Sequence, residues 1–276
     1  MNDLTNDLTL GRALFFAGIG LHGGRFHRLH ILPRNTPGFW LRTDRFPGGF
    51  PLTVDQVSST RRCTTVNGIQ TVEHVLAALY GLGFTAAELI IEGDEFPILD
   101  GSALTVVQAL QRSAPRRLIT QRRRLRLSQA FELSDSDGSW SIQVAPARGL
   151  HLHYTLDYKL PSQAHYLASG SYGPTHCFAT ELAPARTFVF EREVTALRAA
   201  GQALGGNLDN AVVLDDSGQA LNPIRFENEP LRHKLLDLMG DLALLGANLD
   251  ASIRVFRGGH TSHVKLVQQL QKLLSF

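Results

Sequence analysis

Residues 71–83, TVEHVLAALYGLG, and residues 233–247, HKLLDLMGDLALLGA, each read as an apolar helix closed by glycine, one in each half of the chain. Their surroundings echo as well. HRLHILPRNTPGFWLRTD (27–44) and WSIQVAPARGLHLHYTLD (140–157) both show an alternating strand, a turn marked by Pro and Gly, and a second alternating strand. ELIIEGDEFPILDGSALTVVQALQ (88–111) is answered by SIRVFRGGHTSHVKLVQQLQ (252–271), a strand, a Gly-bearing loop and an amphipathic helix. A duplicated unit explains this economically. Each copy would bury one face of a sheet against helices, so the class is α+β: two duplicated β-α-β sandwich subdomains with helices packed between two sheets. Composition breaks at SAPRRLITQRRR (113–124), which puts the subdomains at 1–120 and 121–276.

At 276 residues, with 43% hydrophobic and 19% charged, the chain has ample material for real cores. A formal net charge of +2 argues against nucleic acid as a partner. The local exception is Arg116, Arg117, Arg122, Arg123, Arg124 and Arg126, read as a solvated basic linker or as a peripheral contact with acidic lipid head groups at the inner membrane. Two cysteines, Cys63 and Cys177, imply no disulfide framework and suit a reducing compartment. The N-terminal MNDLTNDLTL lacks the basic stretch and apolar core of a signal peptide, and no run is long enough to span a bilayer. A cytoplasmic monomer is the expectation.

Chemistry concentrates on the two helices. His233, Asp237 and Asp241 are spaced by four, so one helical face carries an imidazole and two carboxylates in a row. His233 and Asp237 could both ligate a divalent metal, most naturally zinc; a solvated polar face is the plainer alternative. In the first helix Thr71 is a candidate cap, and Glu73 stands beside His74. With His74 as third ligand, two histidines and one carboxylate would leave a position open for water, with Glu73 placed to take its proton. His260 follows two glycines in FRGGH and could serve as a general acid, with Asp241 accepting its other ring proton. The Thr187 hydroxyl in ARTF could donate to an oxyanion, or could simply be packed in a strand.

GIGLHGG (18–24), TVEHVLAAL (71–79), EFPILDGSA (95–103), ARTF (185–188), LGGNLDNAVVLDD (204–216), RFENEPLRHKLLDLMGD (225–241) and FRGGH (256–260) occur in that order. Together they resemble the zinc-dependent UDP-3-O-acyl-N-acetylglucosamine deacetylases of lipid A biosynthesis, over about Leu10 to Leu270. The resemblance implies two duplicated sandwich subdomains and an amphiphilic UDP-linked acylated amino sugar as substrate. It implies His74, His233 and Asp237 as Zn2+ ligands, Glu73 as base, and His260 as acid paired with Asp241. It further implies Lys234 and Thr187 at the substrate carbonyl or oxyanion, Tyr158 and Phe188 along the sugar and uridine, and Arg257 near the diphosphate.

Four departures from the family pattern stand out. Ser139 replaces a basic residue expected at the diphosphate, His263 stands where asparagine is usual, and Val189 stands for glycine. Residues 161–178, where the resemblance places the acyl passage, are rich in Gly, Ser and His. These motivate an alternative, a paralogue that deacylates another N-acylated amine. A catalytically silent zinc-stabilised binding protein is the third reading; retention of Glu73, Asp241 and His260 argues against it.

Overall fold

The computed structural model describes residues 6–274. The first half holds β1 (Asn6–Thr9), β2 (Leu14–Ile19), β3 (Phe26–Leu32), β4 (Gly38–Thr43), β5 (Phe50–Pro51), β6 (Val57–Ser59) and β7 (Thr65–Val66). It continues with α1 (Glu73–Gly81), β8 (Ala86–Glu92), α2 (Leu104–Gln111) and β9 (Arg116–Gln121). The second half holds β10 (Arg124–Arg126), β11 (Phe131–Ser134), β12 (Ser141–Pro146), β13 (Leu150–Lys159), β14 (His165–Tyr172) and α3 (Phe178–Glu181). After these come β15 (Phe188–Phe190), α4 (Glu191–Ala199), β16 (Val212–Leu214), α5 (Glu229–Ala243), β17 (Asn248–Phe256) and α6 (His260–Leu274).

The duplication is visible strand by strand. β8 runs between β3, antiparallel to it, and β4, parallel to it; β17 runs between β12, antiparallel, and β13, parallel. β2 flanks β3 as β11 flanks β12, and β5 flanks β4 as β14 flanks β13, all antiparallel. β1 touches the start of β8, and β10 the start of β17, both parallel. Helix, central strand, helix follow in each half: α1–β8–α2 and α5–β17–α6. What differs is insertion: β6–β7 in the first copy, α3 to β16 in the second.

Helices fill the space between the sheets. Leu76 and Leu79 of α1, Leu236, Leu238 and Leu242 of α5, Ile31 and Leu89 of the first sheet, and Leu152 and Ile253 of the second belong to one buried cluster. Every residue of α5 except Arg232 is buried. A helix buried all round cannot have a solvated polar face, so that alternative for His233, Asp237 and Asp241 falls. α1 and α5 cross closely enough that a Cβ on Gly240 would stand 2.1 Å from the Glu73 carbonyl oxygen. Only glycine permits that approach, and it brings the two polar stripes together.

Two expectations need correcting. Thr71 does not cap α1: its backbone is left-handed (φ 58°), and its hydroxyl donates to Glu95 instead at 3.2 Å. The basic run is not a solvated linker, since β9 and β10 occupy most of it. Arg116 bonds Asn35, Arg122 bonds the carbonyls of Asn6 and Gly83, and Arg124 and Arg126 both pair with Asp250. Among the described residues, no helix is long and apolar enough to cross a membrane.

Candidate active site

The α1–α5 crossing sets His74, His233 and Asp237 side by side, all buried. Their ligand atoms lie within 4.8 Å of one another. Asp237 Oδ1 is 3.4 Å from His233 Nε2 and 3.8 Å from His74 Nε2. His233 donates from Nδ1 to the Ala185 carbonyl at 3.1 Å, which leaves the Nε2 lone pair facing the carboxylate. Burial lowers both imidazoles, His74 to about 3, so both are neutral. Asp237 Oδ1 finds no hydrogen-bond donor among the described residues despite its burial. Two neutral imidazoles converging on an orphaned carboxylate oxygen form a donor set that suits a divalent cation.

Around this trio the groups are poised in opposite senses. Burial pushes the Glu73 carboxyl up, helped by Asp237 and Asp241 and opposed by His260, to about 8. Its Oε2 accepts the Thr64 backbone N–H at 3.0 Å. His260 donates from Nδ1 to Asp241 Oδ2 at 2.9 Å. Burial alone would lower His260, but the carboxylates of Asp241 and Asp237 outweigh it and hold the imidazole at about 9. Asp241 in turn is held at about 2, because His260 and the hydrogen bonds from His260 and His263 overcome its burial. Lys234 Nζ donates to Asp237 Oδ2 at 2.7 Å, and that carboxylate keeps the ammonium charged against the pull of burial.

Glu73, His74, His233, Lys234, Asp237 and His260 line one cavity of about 320 Å³, together with Thr187, Phe188 and Tyr158. Asp241 stands behind His260. Arg257 does not join the lining; it turns to Asp157, with its Nη2 3.2 Å from Oδ2. Ser139 lies in the exposed β11–β12 turn and bonds Asp135 and Asp137, although its neighbour Trp140 reaches the cavity wall.

A second cavity of about 410 Å³ adjoins the first, sharing Leu21, Arg62, Thr187, Phe188 and Val189. Val194 and Leu197 of α4, with Leu208, Ala211 and Val213, make it largely apolar. Residues 161–178, where the resemblance places the acyl passage, do not line it. Among the described residues, neither lining draws on that segment; its residues 165–172 form β14, paired along β13, and Tyr166, Leu167 and Ala168 line a separate cavity with Phe226 and Arg232.

Sequence reasoning missed two supports. Glu229, buried at the first turn of α5, takes the Arg186 guanidinium at 3.0 Å and the backbone N–H groups of Arg186 and Arg225. It thereby ties the ARTF loop to α5. Thr64, brought in by the β6–β7 insertion, donates its hydroxyl to Asp241 Oδ1 at 2.5 Å. An acid at the start of a helix was a legible sign for Glu229; nothing in the sequence around Thr64 marked it.

A buried two-histidine, one-carboxylate set beside a carboxylate and a carboxylate-paired histidine, all on one cavity, is the layout of a metal-dependent hydrolase. A family model for UDP-3-O-acyl N-acetylglycosamine deacetylases matches residues 7–272. A UDP-3-O-acyl-N-acetylglucosamine deacetylase of Sodalis glossinidius is 37% identical, over 94% of this chain and 88% of its own length. Those of Oleidesulfovibrio alaskensis (38%; 92% and 85%) and Nostoc sp. (34%; 96% and 98%) are similar to the same extent. The chain belongs to the UDP-3-O-acyl N-acetylglycosamine deacetylase family, LpxC, and is a deacetylase of lipid A biosynthesis.

Proposed function

We propose that the chain hydrolyses the N-acetyl amide of UDP-3-O-acyl-N-acetylglucosamine with a zinc ion held by His74, His233 and Asp237. The observation that carries the reading is the orphaned Asp237 oxygen between two neutral imidazoles, with Glu73 and His260 on the same cavity wall. Zinc bound there would supply Lewis acidity towards the attacking water and the amide carbonyl. Glu73 takes a proton from the water as its oxygen bonds to the carbonyl carbon. His260, kept protonated by Asp241, gives a proton to the nitrogen as the C–N bond breaks, so acetate and a free amine leave. Lys234 and the Thr187 hydroxyl donate to the carbonyl oxygen as charge grows on it.

Phe188 and Tyr158 flank the sugar and uridine in this reading, and the apolar cavity takes the acyl chain. Arg257 serves the diphosphate once it exchanges Asp157 for phosphate. The reading includes units 1–120 and 121–276, since β9 closes the first sheet and β10 opens the second. It also includes a cytoplasmic monomer with peripheral membrane contact; both cysteines being free suits that compartment.

Metal content and turnover test the assignment together. His74→Ala, His233→Ala and Asp237→Ala should each lower bound zinc. Glu73→Gln should keep it while kcat drops by roughly 10²- to 10⁴-fold, the usual contribution of a positioned base. Full zinc occupancy in all three alanine variants, or wild-type turnover in Glu73→Gln, would defeat the assignment.

A further inference from the structure

The hydrogen-bond chain behind His260 does not end at Asp241. His263, three residues further along α6, donates from Nδ1 to the same Asp241 Oδ2 at 2.8 Å. Its Nε2 lies 3.0 Å from the Tyr154 phenol oxygen. Asp241, His263 and Tyr154 are all fully buried.

Burial fixes the direction of every proton in this arm. Asp241, held ionised at about 2, can only accept, so His263 must carry its hydrogen on Nδ1. Burial lowers the His263 imidazole, which leaves it neutral with a lone pair on Nε2. Tyr154, which burial keeps protonated, is then the donor to Nε2. Thr64 occupies the other carboxylate oxygen. The chain Tyr154 → His263 → Asp241 has a single self-consistent arrangement.

Asp241, His260 and His263 also have the composition of a metal site. Their spacing argues otherwise. Ligands about 2.0–2.1 Å from a tetrahedral ion stand farther apart than the 2.8 and 2.9 Å found between the two Nδ1 atoms and Oδ2. These are direct hydrogen bonds.

We propose that His263 and Tyr154 are positioning residues for the deacetylation: they lock the Asp241 carboxylate so that His260 keeps its Nδ1 proton and aims Nε2 into the cavity. Thr64 on Oδ1 and His260 on Oδ2 already resist rotation of the carboxylate; a second donor on Oδ2 stiffens the restraint on the oxygen that His260 uses. The arm also supports the loop that presents His260. A Cβ on Gly258 would lie 2.9 Å from the Tyr154 hydroxyl and 2.3 Å from Val255 Cγ1, so the FRGGH loop rests directly on the phenol. The inference rests on the reading of His260 as the general acid.

Kinetics of the zinc-loaded full chain test it. His263→Leu fills the site but removes the donor; its kcat should fall on the order of 10-fold, the lower end of what losing an outer hydrogen-bond partner costs. KM for the UDP substrate and zinc content should stay at wild-type values. His263→Asn returns an N–H near Nδ1 and should recover most of that kcat. Tyr154→Phe should lower kcat in the same way, and it carries the test if the leucine variant does not fold. Wild-type kcat in His263→Leu or Tyr154→Phe, or an asparagine variant no better than leucine, would overturn the proposal. His260→Ala separates the two readings. If it turns over normally, the general-acid assignment fails and takes the inference with it. If it is inactive while His263→Leu is not, only the inference fails.

Discussion

His260 shows how one residue's chemistry depends on the charges behind it. A buried imidazole on its own would be neutral at pH 7 and useless as an acid. Here Asp241 and Asp237 reverse that, holding it at about 9 against burial. An acid must be protonated to act, so activity should be present below that value and decline as pH rises through it. Asp241→Asn removes the carboxylate that raises His260 most. Its pH–rate profile should lose activity at lower pH than wild type on the alkaline side, with zinc content unchanged. An alkaline limb that stays put would mean that another group sets it. Most of these residues were legible in sequence because each stands in a spacing with a mechanism: four apart on a helix, beside a ligand, or behind two glycines. His263 was visible only as a departure, and Tyr154 not at all. Its value comes from a pairing between β13 and α6 that no local pattern encodes.

At the scale of the element, α5 carries His233, Lys234, Asp237 and Asp241 of the candidate site, and Glu229 anchors its first turn. Burial would raise the Glu229 carboxyl, but Arg186 and the backbone N–H groups of Arg225 and Arg186 hold it below its usual value. The stabilisation is therefore full above the ordinary carboxylate range and is lost as pH falls through the lowered folded value. Glu229→Gln leaves a buried guanidinium without its counter-charge, which typically costs about 3–5 kcal/mol. Urea titration should show that loss at pH 7, with a shallower acid-side decline than wild type. An unchanged midpoint would mean that the glutamine satisfies Arg186 fully. The helices and central strands could be read from periodicity, because α1, α5, β8 and β17 are long and patterned. The start of α1 could not. The backbone at Thr71 is left-handed and its hydroxyl is taken by Glu95, a tertiary partner that the local capping signal could not foresee.

Across the whole molecule, two copies of one topology supply the scaffold, and their unlike insertions border the candidate site. The β6–β7 insertion brings Thr60 and Arg62 to the site's cavity and Thr64 to Asp241 behind it, and β15–α4–β16 wall the apolar cavity alongside. Arg62 and Glu193 join the two insertions through an ion pair of 3.1 Å. The apolar cavity itself was not legible in sequence because its wall is assembled from short pieces, residues 21–22, 187–189 and 191–213, none with a period of its own. Val194 offers a clean test, since α4 has no buried residues and tolerates change at little cost to folding. Val194→Trp should fill part of the cavity and displace the chain. Excluding even three methylenes, at about 0.8 kcal/mol each, would lower kcat/KM for the acylated substrate roughly 50-fold. Turnover of UDP-N-acetylglucosamine without an acyl chain, slow as it would be, should not change. Equal losses on both substrates would show that the tryptophan disturbs the catalytic groups. An unaffected acylated substrate would show that the chain lies elsewhere, and the exposed face of β14 would become the next place to look.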